Sequence, residues 1–241
     1  MSLTQEEWWD IMTTQEELDP ELAAYREVNK QYGFDMIRHP LLYSIMHVDQ
    51  MNAMVNKQLQ MKREQLARAR AAGDWNTFVY TYEKPYRITA FTHVAYLMRD
   101  RQYWELLGSI WVNSENIYQE EDLWREALSC DRYGRYWMME KEERDHLKGG
   151  YLKTLQVYRG FHNDGREHGL SWTANPITAK WFARRHAQSG EVPRVATGTI
   201  DKKSVIAFFN GRSETEMVIF PENVRDVTIE EVGYGKERPG F

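Results

Sequence analysis

Three short fragments of the 241-residue chain carry side chains suited to chemistry, and they occur in a fixed order. They are Val157-Tyr158-Arg159-Gly160, then Ser171-Trp172-Thr173, then Glu214-Thr215-Glu216. Arginine offers a planar fork of donors that grips phosphate through two parallel bonds. Ser171 and Thr173 stand two apart, so on a strand their hydroxyls share one face. Glu214 and Glu216 are also one pleat apart and can aim two carboxylates to the same side of a strand edge. A fixed carboxylate stabilises positive charge that develops beside it. Each fragment alone has a plainer reading. Arg159 is then a surface ion-pair partner, the hydroxyls ordinary strand residues, and the glutamates a solvated turn. Trp172 points away from its two neighbours and reads as core. His162 and His168 lack metal-ligand spacing to another histidine, and the single Cys130 excludes a cysteine-based zinc cluster and an intramolecular disulfide. No metal is expected.

These fragments lie in a stretch that reads as strands. Leu155–Gly160, Gly169–Thr173, Arg194–Ile200, Ser204–Phe209, Glu216–Phe220 and Val227–Val232 are short β-rich runs bounded by glycine, proline or Asn210-Gly211. One helix interrupts them, opened by Asn175-Pro176 and running through Ala179, Phe182 and Ala183. The adjacent Phe208 and Phe209 must face opposite ways, one into the core.

The preceding stretch reads as helices. Thr4-Gln-Glu-Glu7 and Thr14-Gln-Glu-Glu17 have capping-box spacing. Leu22, Tyr25 and Val28 fall at helical spacing. Leu41, Ile45, Val48, Val55, Leu59 and Leu66 keep a 3.5–3.6 residue period after Pro40, which predicts one long helix ending near Gly73. Asp74 caps the next, and Pro85 breaks it. Further helices are predicted around Ile88–Met98, Leu107–Trp111 and Leu123–Leu128.

Composition agrees with a folded chain. Apolar residues make up 42% and charged residues 28%, no apolar run is long enough to span a membrane, and the acidic, polar start is unlike a secretory signal. This predicts a cytoplasmic protein with no membrane partner. Residues 1–150 hold 18 Lys+Arg against 25 Asp+Glu, a net of −7, while residues 151–241 hold 13 against 11, a net of +2. The change in charge and in period predicts two regions. An α+β protein follows, with a helical region over 1–150 and a small mixed or antiparallel β core over 151–241. The acidic first region counts against a surface built to coat nucleic acid.

The ordered fragments resemble the Arg–Ser–Glu class of mono-ADP-ribosyltransferases over about residues 151–235. That family carries an arginine on its first core strand, a Ser-x-Thr/Ser strand, and a Glu-x-Glu or Gln-x-Glu turn leading into an apolar strand. Thr178-Ala-Lys-Trp-Phe-Ala183 looks like the helix after the serine strand, and Glu216-Met-Val-Ile-Phe-Pro221 like the apolar strand and its proline. The resemblance implies an ADP-ribosyltransferase-type fold that uses NAD as substrate and needs no metal. Glu216 would stabilise the ribosyl cation as the nicotinamide bond breaks, the electrostatic logic of glycosidases. Arg159 would bind the diphosphate, and the backbone at Gly160 would hold the nicotinamide amide. Ser171 would fix the Glu216 carboxylate, Thr173 would brace the site, and Glu214 would face the acceptor. Whichever of Phe208 and Phe209 is not core is a candidate to stack on nicotinamide.

Two features depart from many relatives. The segment between Arg159 and Ser171 is only a loop, and Asn210-Gly-Arg-Ser before the glutamates is short. Acceptor choice then falls to the N-terminal helices. The resemblance further implies a bacterial or phage-encoded toxin or effector. Its acceptor would be a protein or a nucleic acid, and a target or antitoxin protein would sit on the first region. Rival readings are an NAD glycohydrolase on the same site, a non-catalytic interaction module of this fold, and a helical nucleic-acid-binding protein with an unrelated β half.

Overall fold

Asp19 and Pro20 begin the first regular element of the computed structural model, which describes residues 15–28, 34–115, 117–162, 166–185, 187, 190–211 and 215–233. The Asp19 carboxylate accepts from the Glu21 N–H at 2.8 Å, and Pro20 occupies the first turn of helix α1, Pro20–Ala23. The Thr4 box lies outside the described residues, as does Thr14; the residues after Thr14 form no helix before Pro20. The chain divides into two compact units, Met1–Met98 and Arg99–Phe241. The division falls earlier than the change of composition at residue 150.

The first unit departs from an all-helical reading. Helix α1 stops after one turn, and the chain enters an antiparallel sheet of β1 (Arg26–Glu27), β2 (Asp35–His39) and β3 (Leu42–His47). Leu22 is fully buried while Tyr25 and Val28 are exposed, so these three do not share a helix face. The predicted helix from Leu41 is likewise shorter. His39 pairs with Leu42 across the two-residue turn Pro40-Leu41, and this hairpin takes the residues that share the helical period. Leu41 is buried and Ile45 is 62% exposed, which one helix face would not allow. Helix α2 begins only at Asn52 and runs to Ala72, where Gly73 adopts φ 67° and stops it. Asp74 then accepts from the Thr77 N–H at 3.0 Å and caps α3, Trp75–Thr81. Helix α4 spans Arg87–Thr92. Leu22, Ile37, Leu41, Leu42, Val55 and Leu59 form one buried apolar cluster of this unit.

Among its described residues, the second unit joins four α-helices to one sheet. Helix α5 (Asp100–Val112) and α6 (Glu121–Ser129) bury Trp111 edge-on against Trp124, 5.0 Å between ring centres. Helix α7 (Lys141–Lys148) has no fully buried residue; a reciprocal capping box between Glu140 and Glu143 starts it. The strands are β4 (Thr154–Phe161), β5 (Ser171–Thr173), β6 (Arg194–Asp201), β7 (Ala207–Phe209), β8 (Glu216–Val218) and β9 (Arg225–Glu231). They pair antiparallel in the order β7-β8-β5-β4-β6-β9, with α8 (Pro176–Arg185) packed on β4. The architecture is α+β.

Helix α7 and the turn before it are fastened to this sheet. The Phe208 N–H donates to Met139 Sδ at 3.2 Å, the Asn210 N–H donates to the Glu143 carboxylate at 3.0 Å, and the His146 ring stacks on Phe208 with centres 4.6 Å apart. Among the described residues, no helix is long and apolar enough to cross a membrane.

Candidate active site

Register brings the second and third fragments together. Strand β5 pairs with β8 so that Thr173 lies opposite Glu216, and Ser171 opposite Val218. Directly opposed residues of an antiparallel pair project to the same side, so Ser171, Thr173 and Glu216 share a face. The Ser171 hydroxyl donates to Glu216 Oε1 at 2.5 Å. Trp172 is opposite Met217 on the other face, buried to 2% exposure, and its indole N–H donates to Gly169 O at 2.8 Å.

The turn into β8 is held from the same strand. Thr173 Oγ1 and Thr215 Oγ1 lie 3.0 Å apart, and Thr173 Oγ1 also accepts from the Asn175 N–H. Thr215 has φ 47°, a left-handed conformation that a β-branched residue rarely adopts. Such a residue persists only where its surroundings over-determine it. Here the residue immediately before Glu216 is fixed both by its hydroxyl and by its carbonyl, which accepts from the Ala174 N–H. Glu214, two residues earlier, lies outside the described residues.

Arg159 arrives from β4. Tyr158 is opposite Thr173, so Arg159 leaves the strand on the other side. Its Nε donates to Arg166 O at 2.7 Å and its Nη1 to Ser171 O at 2.5 Å. The guanidinium therefore ties the turn Arg166–His168 to the strand that carries Ser171. Those bonds use two of five N–H donors, leaving three with no protein partner among the described residues. Burial pushes the Arg159 pKa down to about 10, opposed chiefly by the charge of Glu121 and then by Glu216 and Glu167. The group stays cationic at neutral pH.

Gly169 makes room for this guanidinium, because a Cβ there would sit 2.2 Å from Arg159 Nη2. Gly169→Ala is expected to push the guanidinium off both carbonyls. Losing charge-assisted bonds of this kind costs about 1–3 kcal/mol, to be read by urea unfolding. Gly211→Ala, at a position with nothing within 4 Å of the added carbon, is the matched control and should be near neutral. Equal stability of the two variants would show that Arg159 is not held by its carbonyl partners.

Gly160 lies against α8, where a Cβ would sit 1.9 Å from Ala179 O. Close packing of helix on strand accounts for glycine at this position. Phe208 and Phe209 are both buried, at 1% and 4% exposure, so neither is the open stacking ring expected from the sequence. His146 stacks on Phe208, which covers that ring. Residues 163–165 lie outside the described segment between Arg159 and Ser171; its remainder holds one short 3-10 turn, Arg166–His168.

Sequence reading missed Gly169, Thr215 and Glu121. Gly169 carried no signal beyond its place near the end of a loop. Glu121 lies in the first turn of α6, in a stretch assigned to the other region. No group of three or more His, Cys, Asp or Glu that could hold a metal ion occurs among the described residues. No protein-family model, curated protein or solved structure matches the chain.

Proposed function

We propose that the second unit is an NAD-dependent mono-ADP-ribosyltransferase of the Arg–Ser–Glu class, acting on a macromolecular acceptor as a toxin or effector. The observation that carries this reading is the hydrogen bond from Ser171 Oγ to Glu216 Oε1. It joins two fragments far apart in sequence, and the carbonyl of the same serine receives Arg159. The guanidinium leaves the opposite face of the sheet and reaches this strand through its backbone.

In this reading Glu216, aimed by Ser171, stabilises positive charge on the ribose while the bond to nicotinamide breaks. Nicotinamide leaves with the bonding electrons. A nucleophilic atom of the acceptor bonds to the ribose carbon and gives up its proton. Arg159 supplies its remaining donors to the diphosphate, and Thr173 with Thr215 holds the turn that presents Glu216. Glu214 serves the acceptor. The site suits NAD in charge, since the fixed carboxylate and the desolvated guanidinium answer a developing cation and a diphosphate respectively.

The experiment is incubation of the protein with NAD labelled in the ADP-ribose moiety and a cell lysate. Label on protein or on nucleic acid supports transfer and names the acceptor class. Free ADP-ribose alone replaces transfer by glycohydrolysis, and intact NAD overturns the enzyme reading. Arg159→Lys keeps the charge and loses the planar fork, so weaker NAD binding and lower turnover are expected. Calorimetric titration with NAD checks this, and unchanged affinity would make Arg159 structural only.

A further inference from the structure

A second concave site lies at the other end of strand β4. Its volume is about 720 Å³, within the range of pockets that take small molecules. Lys153 lines it and sits six residues before Arg159. At the rise of a strand that is roughly 20 Å along β4 from the guanidinium. Neither Arg159 nor Ser171, Thr173 or Glu216 lines the cavity.

Its lining has two kinds of residue. Arg135, Arg144, Lys148, Lys153, Lys202 and Lys203 supply six cationic side chains. The one carboxylate, Asp201, already accepts from Arg225 at 2.6 Å. Arg135, Lys153 and Lys203 have no ion-pair partner among the described residues. Two other cations are positioned by backbone: Lys202 donates to Gly149 O, and Arg144 donates to Met139 O at 2.9 Å. Lys148 lies over the Tyr136 ring, 5.8 Å from its centre. Beside the cations, Tyr136, Met139, Leu147, Val205 and Ile206 offer an apolar wall.

Like charges gathered around a cleft are costly without a counter-ion, and a low-dielectric wall focuses their field on whatever enters. Six cations against one neutralised carboxylate call for several negative charges at once. The apolar wall calls for a flat or aliphatic group attached to them. A phosphate chain carrying a nucleobase meets both demands, and its size fits the cavity. A nucleic-acid strand would need the cationic surface to continue as a track, whereas this cluster converges on one concavity.

We propose that this cavity binds a nucleoside phosphate, its phosphates against Lys153, Lys202, Lys203 and Arg144 and its base against the Tyr136–Ile206 wall. The site is distinct from the one proposed for NAD and does not depend on that assignment.

The test is lysine acetylation of the full chain, read by mass spectrometry, with ADP, inorganic phosphate or a short single-stranded RNA added. ADP is expected to protect Lys153, Lys202 and Lys203, with protection weakening as salt rises. The Lys153→Glu/Lys203→Glu double variant alters two exposed side chains and should keep its melting temperature. Calorimetry should show its affinity for ADP reduced by ~10-fold or more. Arg159→Lys should leave the protection of the three lysines unchanged, which separates this site from the other. No protection by millimolar ADP overturns the proposal. So does undiminished ADP affinity in the double variant together with persisting protection of Lys202. Inorganic phosphate protecting as well as ADP would remove the base from it, and protection by RNA but not ADP would replace it with a nucleic-acid surface.

Discussion

Glu216→Gln is expected to lower NAD cleavage by ~10²-fold or more, the loss seen when one pre-organised electrostatic group is removed from a transition state. The substitution is nearly isosteric. Ser171 Oγ donates to Glu216 Oε1, and an amide oxygen in the same place accepts that bond equally well. Register is untouched, because Glu216 pairs through backbone with Thr173 on one side and Phe209 on the other. What disappears is the negative charge, and with it, in the proposed mechanism, the stabilisation of a cationic ribose. The melting temperature should therefore move little while turnover collapses. Glu222→Gln is the control: Glu222 is exposed and pairs with Arg125 at 3.2 Å, so its loss should leave cleavage intact. Nicotinamide release from purified protein is the measurement. Near-normal release by the Glu216 variant would remove this carboxylate from the chemistry, and a large fall in melting temperature would make the loss of activity uninformative about charge.

The β half was legible because its signals are local. Asn175-Pro176 opens α8, Asn210-Gly211 ends β7, and the paired edges of β4 and β6 alternate or run apolar as strands do. The N-terminal hairpin was not legible for a related reason. Leu41, Ile45 and Val48 satisfy a helical period by themselves, and only pairing of β2 with β3 reveals that a two-residue turn interrupts it. Helix α7 has almost no apolar stripe to announce it. Its order comes from the Glu140–Glu143 capping box and from contacts to β7, both visible only once the chain is folded.

The candidate site divides along the same line. Residue types and order are sequence properties, and they brought Arg159, Ser171 and Glu216 forward through resemblance. Which atom meets which is a matter of register between strands distant in sequence. Periodicity could not say that Arg159 spends two donors on the carbonyls of Arg166 and Ser171. Nor could it say that Glu121, in a helix read as part of another region, contributes the largest charge opposing desolvation of that arginine. Composition drew its boundary at residue 150 because charge and period change there. Contacts such as Phe208 to Met139 and Asn210 to Glu143 join the helices on either side of that line into one unit with the sheet.

Gly160→Ala is expected to destabilise the second unit by about 1–3 kcal/mol, the usual cost of forcing an extra carbon into a packed interface. The melting temperature should fall by roughly 3–10 °C. The added Cβ would lie 1.9 Å from Ala179 O and 2.6 Å from Ala183 N, so α8 must move off β4. That displacement opens the cluster of Ala179, Ala183, Val195 and Val232, on which Tyr158 packs. The atoms met are backbone, and trimming a side chain cannot relieve them. Adding Ala179→Gly to Gly160→Ala should therefore restore nothing, whereas a clash between side chains would be rescued. Thermal unfolding of the two variants and the wild type decides it. An unchanged melting temperature for Gly160→Ala would show that helix and strand are farther apart than this packing requires. The reason for glycine would then have to lie elsewhere, with the backbone contact to nicotinamide as the leading candidate. A stability loss that appears in the absence of NAD assigns this glycine first to the seat of α8. Any contact with a ligand through its backbone then acts on a position that packing has already restricted to glycine.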